Sequence, residues 1–222
     1  AEAEIEYRDH RSTTIWVRFS IADGDLKGSD IVIWTTTPWT IPSNKAVAFN
    51  KFIKYGLYEI EEVQDESWAK PKNTIILADK LAEQTMEKSR VTKYKKIREL
   101  KLDDFNEIIL THPFSKLEGA ESFWDYAGPL VEGDHVTAAA GTGFVPIAPS
   151  HGAEDFEVFL NRGWLSRMTN NVEDDSSFAT TVPFFKGLQI FNKKGKEGEA
   201  NKAVIQKLIE ANKLIARGIL EH

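Results

Sequence analysis

Short alternating apolar runs, closed off by glycine, proline and asparagine, set what this chain can fold into. Thr13 to Phe19 alternates, with Ile15, Val17 and Phe19 on one side and Trp16 and Arg18 on the other. A period of two residues predicts a half-buried strand. Asp30 to Trp34, Ala46 to Phe49, Tyr55 to Ile60, Thr74 to Ala78 and Glu107 to Thr111 read as further strands, with Asn50 to Lys54 as a connection. Three helices are expected. Asp79 to Lys88 carries Asp79 as N-cap. Ala153 to Asn161 turns Phe156 and Phe159 or Leu160 inward. Asn201 to Arg217 shows a stripe of Val204, Ile205, Leu208, Ile209 and Ile215, capped by Asn201 and ended by Gly218. Glycine and proline are dense between Gly128 and Gly152, which predicts loops. Lys193 to Glu199 reads as a surface loop. No repeat or internal boundary is visible. The expected class is α+β: a strand-rich curved sheet or β-barrel core with peripheral helices, one domain over residues 1–222.

Composition narrows the chemistry. The chain has 222 residues and no cysteine. Disulfides, Cys-ligated zinc, iron–sulfur clusters and a cysteine nucleophile are therefore excluded. A reducing compartment, cytoplasmic or an organellar matrix, fits. With 41% hydrophobic and 28% charged residues, the composition is that of a globular protein. No apolar run approaches the roughly 18–20 residues that span a bilayer, so no membrane partner is expected. The acidic start Ala1-Glu2-Ala3-Glu4 has neither Met nor signal segment, as expected of a piece cut from something longer. A net charge of −6 argues against a generic nucleic-acid binder. Two basic groups stand out: Lys88, Arg90, Lys93, Lys95, Lys96, Arg98 and Lys101, and Lys186, Lys193, Lys194 and Lys196. Each is either a solvated face or a contact for RNA phosphates.

Several catalytic signatures are missing: a Walker loop, a dinucleotide fingerprint, HExxH and Gly-x-Ser-x-Gly. Two segments remain unusual. Trp34 to Asn44 reads WTTTPWTIPSN. Its threonines favour a strand end, yet Pro38 breaks the ladder and frees hydroxyls able to order a water beside an ester. Gly141 to Phe156 reads GTGFVPIAPSHGAEDF. Gly141 and Gly143 let main-chain N–H groups approach a ligand. Asp155 near a helix start either complements the helix dipole or anchors a substrate ammonium.

Together these segments resemble isoleucyl-tRNA synthetase, in the editing domain inserted into its catalytic domain. Thr35 to Asn44 matches the family pattern TTTPWT-x-P-x-N. Gly141 to Asp155 matches GTGxVHxAPxHGxxD with one departure, Pro146 in place of histidine. Gly133 to Thr137 matches GDHVT. The resemblance runs from the opening near Glu6 to the helix near Ala200. Leucyl and valyl relatives carry arginine where this chain has Thr37. The HIGH and KMSKS motifs of ATP-dependent activation are absent, so no ligase activity is expected.

The resemblance implies an aminoacyl-tRNA deacylase. One methylene is worth only about 1–3 kcal/mol, a discrimination for which this very synthetase is a standard example, so a second site must clear valine. The substrate is valyl-tRNA(Ile), with valyl-adenylate as a second, and isoleucyl-tRNA(Ile) is excluded. By position, Asp155 holds the α-ammonium. Thr35, Thr36 and Thr37 line the acyl end and position water or ribose. Trp34 and Asn44 support that strand, and the main chain of Gly141, Thr142, Gly143, Phe144 and Val145 forms another wall. Pro146 can neither donate nor titrate, which bears on side-chain discrimination. His151 is adjacent and more simply structural. No metal, no cofactor and no covalent nucleophile are expected. The partners are the isoleucine tRNA acceptor end and the rest of the synthetase, with the domain itself monomeric. The second reading is an acceptor-end docking module with hydrolysis impaired. The third is a soluble β-rich domain, which leaves Thr35 to Asn44 unexplained.

Overall fold

A computed structural model describes residues 11–106 and 108–221. The start of the chain, including the motif near Glu6 and His10, lies outside the described residues, as do Glu107 and His222. The strands are β1 (Arg11–Ile21), β2 (Asp30–Thr35), β3 (Ala46–Phe49), β4 (Tyr55–Val63), β5 (Thr74–Ala78), β6 (Val91–Leu100), β7 (Ile109–Thr111), β8 (Gly128–Glu132), β9 (Val145–Ile147) and β10 (Leu214–Glu221). The helices are α1 (Asp79–Lys88), α2 (Leu102–Phe105), α3 (Ala153–Asn161) and α4 (Ala200–Glu210). The strands form one mixed sheet in the order β6-β4-β5-β2-β1-β7-β8-β3-β9, with β10 on β1. β1 pairs β2 along one edge, while its other edge passes from β10 at Arg11–Val17 to β7 at Ser20 and Ile21. The expected strand-rich sheet with few helices is what the chain forms.

The alternation in β1 divides the interior. Ile15, Val17 and Phe19 enter the main core, which holds the fully buried Trp124, Phe114, Phe178 and Phe185. Trp16 faces the other side, in a second cluster with Val32, Leu77, Ala82, Met86 and Ile215. Arg18 is buried too. Its Nη1 donates to Asn73 Oδ1 at 3.1 Å and its Nη2 to Asn212 Oδ1 at 3.0 Å. Asp30 lies 3.6 Å from it.

Several local expectations are corrected. The helix predicted over Asn201–Arg217 ends at Glu210. Asn212 takes a left-handed φ of 55°, and the Lys213 N–H closes on the Leu208 carbonyl at 2.8 Å. Leu214, Ile215 and Ala216 then enter β10, and Gly218 pairs with Thr14 instead of ending a helix. Ile215 fell on the helical stripe by coincidence of spacing. Neither predicted cap acts as one. Ala78 and Glu199 hold the N-cap positions. The Asp79 carboxylate accepts from Tyr58 Oη at 2.6 Å and Lys96 Nζ at 2.7 Å. Of the three candidates on α3 only Phe159 is buried, while Phe156 and Leu160 are exposed. The Gly/Pro-rich middle contains two strands, β8 and β9.

The long basic run becomes β6, which its charge pattern hid. Lys95 pairs with Glu59 at 2.7 Å, Lys93 with Glu61 at 3.4 Å, and Arg98 with Asp104 at 3.0 Å. The acids on β4 explain why so many lysines fit on one strand, since opposite charges across a ladder attract.

Removing the Arg18 guanidinium leaves Asp30 buried with Lys213, 4.0 Å away, as its remaining cation. Urea unfolding of Arg18→Ala is expected to show a loss of about 3 kcal/mol, the low end for breaking a buried pair. A loss under about 1 kcal/mol would contradict this role.

Candidate active site

Thr35 ends β2 on the main-core side, with Trp34 on the opposite face, 6.3 Å from Trp16 between ring centroids. The Thr37 N–H donates to Thr35 Oγ1 at 3.1 Å, and the two hydroxyls lie 3.2 Å apart. The chain then turns into a 3-10 helix, Pro38–Ser43. Proline suits the first helical position because no N–H is wanted there. The Thr40 hydroxyl and N–H both donate to the Thr37 carbonyl, at 2.9 and 3.0 Å. Thr36 is half-buried and Thr37 exposed. Among the predicted threonines, these two are the more open to a ligand.

The helix is held from behind. His112 Nε2 donates to the Ile41 carbonyl at 2.9 Å. Trp124 Nε1 and Asn171 Nδ2 donate to the Pro42 carbonyl at 2.9 and 3.2 Å. Tyr126 Oη donates to the Asn44 carbonyl. Asn44 is buried, and its amide donates to the Ala46 carbonyl at 2.9 Å. It therefore acts on the main chain, as a support.

The second motif is divided between core and surface. Gly141 and Gly143 have φ of 83° and 85°. A Cβ on Gly143 would lie 2.4 Å from Ala78 Cβ, and one on Gly141 3.2 Å from the Trp34 ring. These close approaches require glycine. Thr142 and Phe144 are buried in the core, so they do not form an open wall. The Ala78 N–H donates to the Thr142 carbonyl, and Tyr55 Oη to the Gly143 carbonyl at 2.6 Å. Val145 and Pro146 lie half-buried on β9, Pro146 opposite Val47. β9 ends the strand order, and an end strand tolerates the missing N–H of proline.

Asp155 sits in the first turn of α3, half-buried, and Oδ2 accepts the Ala148 N–H at 2.8 Å. Burial raises its pKa, while the Ala148 N–H and the charge of His135 act to lower it. Its carboxylate is thus poorly compensated, and an incoming cation would stabilise the charged form. His151 Nε2 lies 3.0 Å from Ser43 Oγ, and its ring packs edge-on to Trp39 with centroids 4.9 Å apart. Burial lowers its pKa.

The structure therefore joins the two motifs at three places: Trp34 on Gly141, Trp39 and Ser43 on His151, and the Lys45 N–H on the Ile147 carbonyl at 2.8 Å. Sequence reasoning missed the supports His112, Trp124, Tyr126 and Asn171, which lie outside both motifs and carry no local signal. Among the described residues, no group of acids and histidines could hold a metal ion. No helix among them is long and apolar enough to cross a membrane. A cavity of about 860 Å3 opens elsewhere, lined by Trp68, Lys88, Arg90 and Arg217. No motif residue lines it.

No protein-family model matches. The isoleucine–tRNA ligase of Ruegeria pomeroyi is 48% identical over 226 residues, covering all of this chain. Those of Caulobacter vibrioides and Bradyrhizobium diazoefficiens are 44% and 43% identical, again over the whole chain. The chain matches isoleucine–tRNA ligase along its full length. It spans 23% of the length of these ligases. Among solved structures, GlLeuRS-CP1 superposes with a TM-score of 0.64 at 12% identity, covering 95% of this chain and 99% of the other. The editing domain of the Plasmodium knowlesi cytosolic leucyl-tRNA synthetase gives 0.61 at 11%, covering 93% and 96%. The fold beside the isoleucine–tRNA ligase match is thus that of the CP1 editing domains.

His112 supplies a test of the scaffold. The Phe114 N–H donates to its Nδ1 at 3.2 Å while Nε2 donates to Ile41, so the neutral ring satisfies both partners. Burial lowers its pKa to about 3. Between about 3 and 6.5 the unfolded chain binds a proton that the folded chain refuses, so stability falls as pH drops through that window. The slope is up to about 1.4 kcal/mol per pH unit. Urea unfolding at pH 4 and 7 is expected to show a smaller loss for His112→Gln than for the unaltered chain. Parallel losses would remove His112 as the cause.

Proposed function

We propose that the chain is the editing domain of an isoleucine–tRNA ligase and hydrolyses valyl-tRNA(Ile). One observation carries this reading most: two segments about a hundred residues apart close on each other, Ser43 and Trp39 meeting His151 just ahead of the helix that carries Asp155. The full-length match to isoleucine–tRNA ligases and the CP1 fold support the same assignment. The rest of the ligase would supply amino-acid activation and the remaining tRNA contacts.

In this reading Asp155 binds the α-ammonium of the valyl group. Thr36 and Thr37, with Thr35 behind them, order a water against the ester carbonyl. The water oxygen bonds to the acyl carbon, the ester C–O bond breaks, and a proton passes to the departing ribose oxygen. The neighbouring ribose hydroxyl assists that transfer. Rate enhancement comes from positioning and hydrogen bonding. Valyl-adenylate presents the same ammonium and acyl group and is a second substrate. Pro146, rigid on β9, limits the side-chain space in place of the family histidine and excludes isoleucine by shape. The ion pairs of β6 with β4 leave the long basic run largely matched by acids, which favours the deacylase over a docking module built on that run.

The test is hydrolysis of valyl-tRNA(Ile) and isoleucyl-tRNA(Ile) by the chain at low salt. Cleavage of valyl-tRNA, with isoleucyl-tRNA spared, is expected. Asp155→Ala should lower the valyl rate at least 100-fold with the fold intact by circular dichroism. Tight binding without turnover would support the docking module instead. Equal cleavage of both esters would overturn the Pro146 sieve.

The pH dependence has a definite sign. The substrate must meet an ionised Asp155, whose pKa burial raises. KM is therefore expected to rise as pH falls through that raised value, at higher pH than for an exposed aspartate. A KM that rises only where an exposed aspartate protonates, or not at all, would contradict the ammonium role.

A further inference from the structure

Lys45 is a buried cation without an anion. It is 9% exposed, and among the described residues its ammonium makes no hydrogen bond or ion pair. Nζ sits over the Tyr126 ring, 4.0 Å from the centroid. A ring face attracts the charge but is no ordinary acceptor, so the three N–H donors of the ammonium stay open. The Tyr126 hydroxyl is already committed, since it donates to the Asn44 carbonyl. Burying a charge without a hydrogen-bonded partner is costly. Arg18, also buried, shows the usual solution, with Asp30, Asn73 and Asn212 around it.

Lys45 lines a cavity of about 210 Å3 with Tyr126, Ala127, Phe159 and Arg167. Its described lining thus holds two cations and no carboxylate. Arg167 is exposed, and its guanidinium lies 5.0 Å from the Trp164 ring centroid with no acid paired to it among the described residues. Sites for drug-sized ligands run to roughly 300–1,000 Å3, so this space suits one small group. An ammonium beside a guanidinium selects an oxyanion, and the guanidinium fork matches phosphate geometry. Burial lowers the Lys45 pKa to about 8. The ammonium therefore keeps its proton at neutral pH, and a bound anion would hold it more firmly.

The cavity adjoins the machinery already described. The Lys45 N–H donates to the Ile147 carbonyl, and the next residue, Ala148, donates its N–H to the Asp155 carboxylate. Phe159 of the lining follows Asp155 by one helical turn on α3. Asn44, which precedes Lys45, closes the threonine motif.

We propose that the cavity between Lys45 and Arg167 is a phosphate-binding site, with both side chains donating to the phosphate oxygens. Two sources carry this chemistry: the phosphate of the terminal nucleotide of an aminoacylated RNA, and free phosphate. The site itself stands apart from the editing reading, whereas the first source rests on it.

Calorimetry at low salt with inorganic phosphate tests the site, using the unaltered chain, Lys45→Met, Arg167→Gln and Asp155→Ala, with a thermal melt of each. Lys45→Met and Arg167→Gln are each expected to weaken phosphate binding at least 10-fold, the scale of one charge-assisted hydrogen bond. Lys45→Met removes an unpaired buried charge, so it should melt no lower than the unaltered chain. Asp155→Ala should bind phosphate normally. Phosphate binding that is absent from the unaltered chain, or equal in Lys45→Met, would overturn the proposal. The source is read with 3′-(L-valylamino)-3′-deoxyadenosine, whose amide resists hydrolysis, with and without a 5′-phosphate. A gain of about 10-fold from the 5′-phosphate that vanishes in Lys45→Met assigns the site to the RNA end. The same gain in both chains, with inorganic phosphate lost only in Lys45→Met, assigns it to free phosphate and overturns the RNA source. If neither nucleoside binds the unaltered chain while inorganic phosphate does, the editing reading fails and the phosphate site stands.

Discussion

A largely buried 3-10 helix carries two prolines, and the carbonyls of its last turn draw donors from outside the helix. Pro38, Ile41, Pro42 and Ser43 are all buried. Pro38 and Pro42 bring no N–H, and an unpaired buried carbonyl costs free energy comparable to a lost hydrogen bond. His112, Trp124, Asn171 and Tyr126 supply the donors from three other parts of the chain. The shape of the first motif therefore depends on the middle and late segments packed around it. The threonine turn leaves β2 at Thr35, and the 3-10 helix that follows it is tied at its far end to the aromatic core.

The same requirement connects the motifs. Ser43 shares its hydroxyl between Asn171 Nδ2 at 3.1 Å and His151 at 3.0 Å. His151 begins the loop into α3 and so into Asp155. Displacing the 3-10 helix would move the loop that carries the carboxylate. Gly141 and Gly143 act in parallel, since their left-handed turns let the second motif pass against Trp34 and Ala78 without a side chain intervening. In the proposed site these contacts hold the two motifs in register, as catalysis by positioning requires.

Much of the sheet could be read from the sequence. Ala46–Phe49, Thr74–Ala78, Asp79–Lys88 and Ala153–Asn161 have the expected bounds because local apolar spacing and tertiary packing agree there. Prediction failed where tertiary pairing overrode local pattern. β6 reads as a charge run because Glu59, Glu61 and Glu62, which neutralise it, lie on β4 some thirty residues earlier. β10 reads as the end of a helix because its apolar residues continue the stripe of α4, and only pairing with β1 makes them a strand. At the site, the threonine turn, the glycines and Asp155 announce themselves in sequence. Their supports do not, since a buried His112 or Asn171 looks like any other polar residue until its partner is seen.

The central claim is that the aminoacyl end binds between the threonine turn and Asp155, and not in the larger cavity beside Lys88 and Arg217. A crystal structure of the chain with bound 3′-(L-valylamino)-3′-deoxyadenosine decides between them. The account predicts the ammonium within hydrogen-bond distance of an Asp155 carboxylate oxygen, with the amide facing Thr36 or Thr37. Density for the compound in the cavity lined by Trp68, Lys88 and Arg217, with the Asp155 site empty, would contradict it.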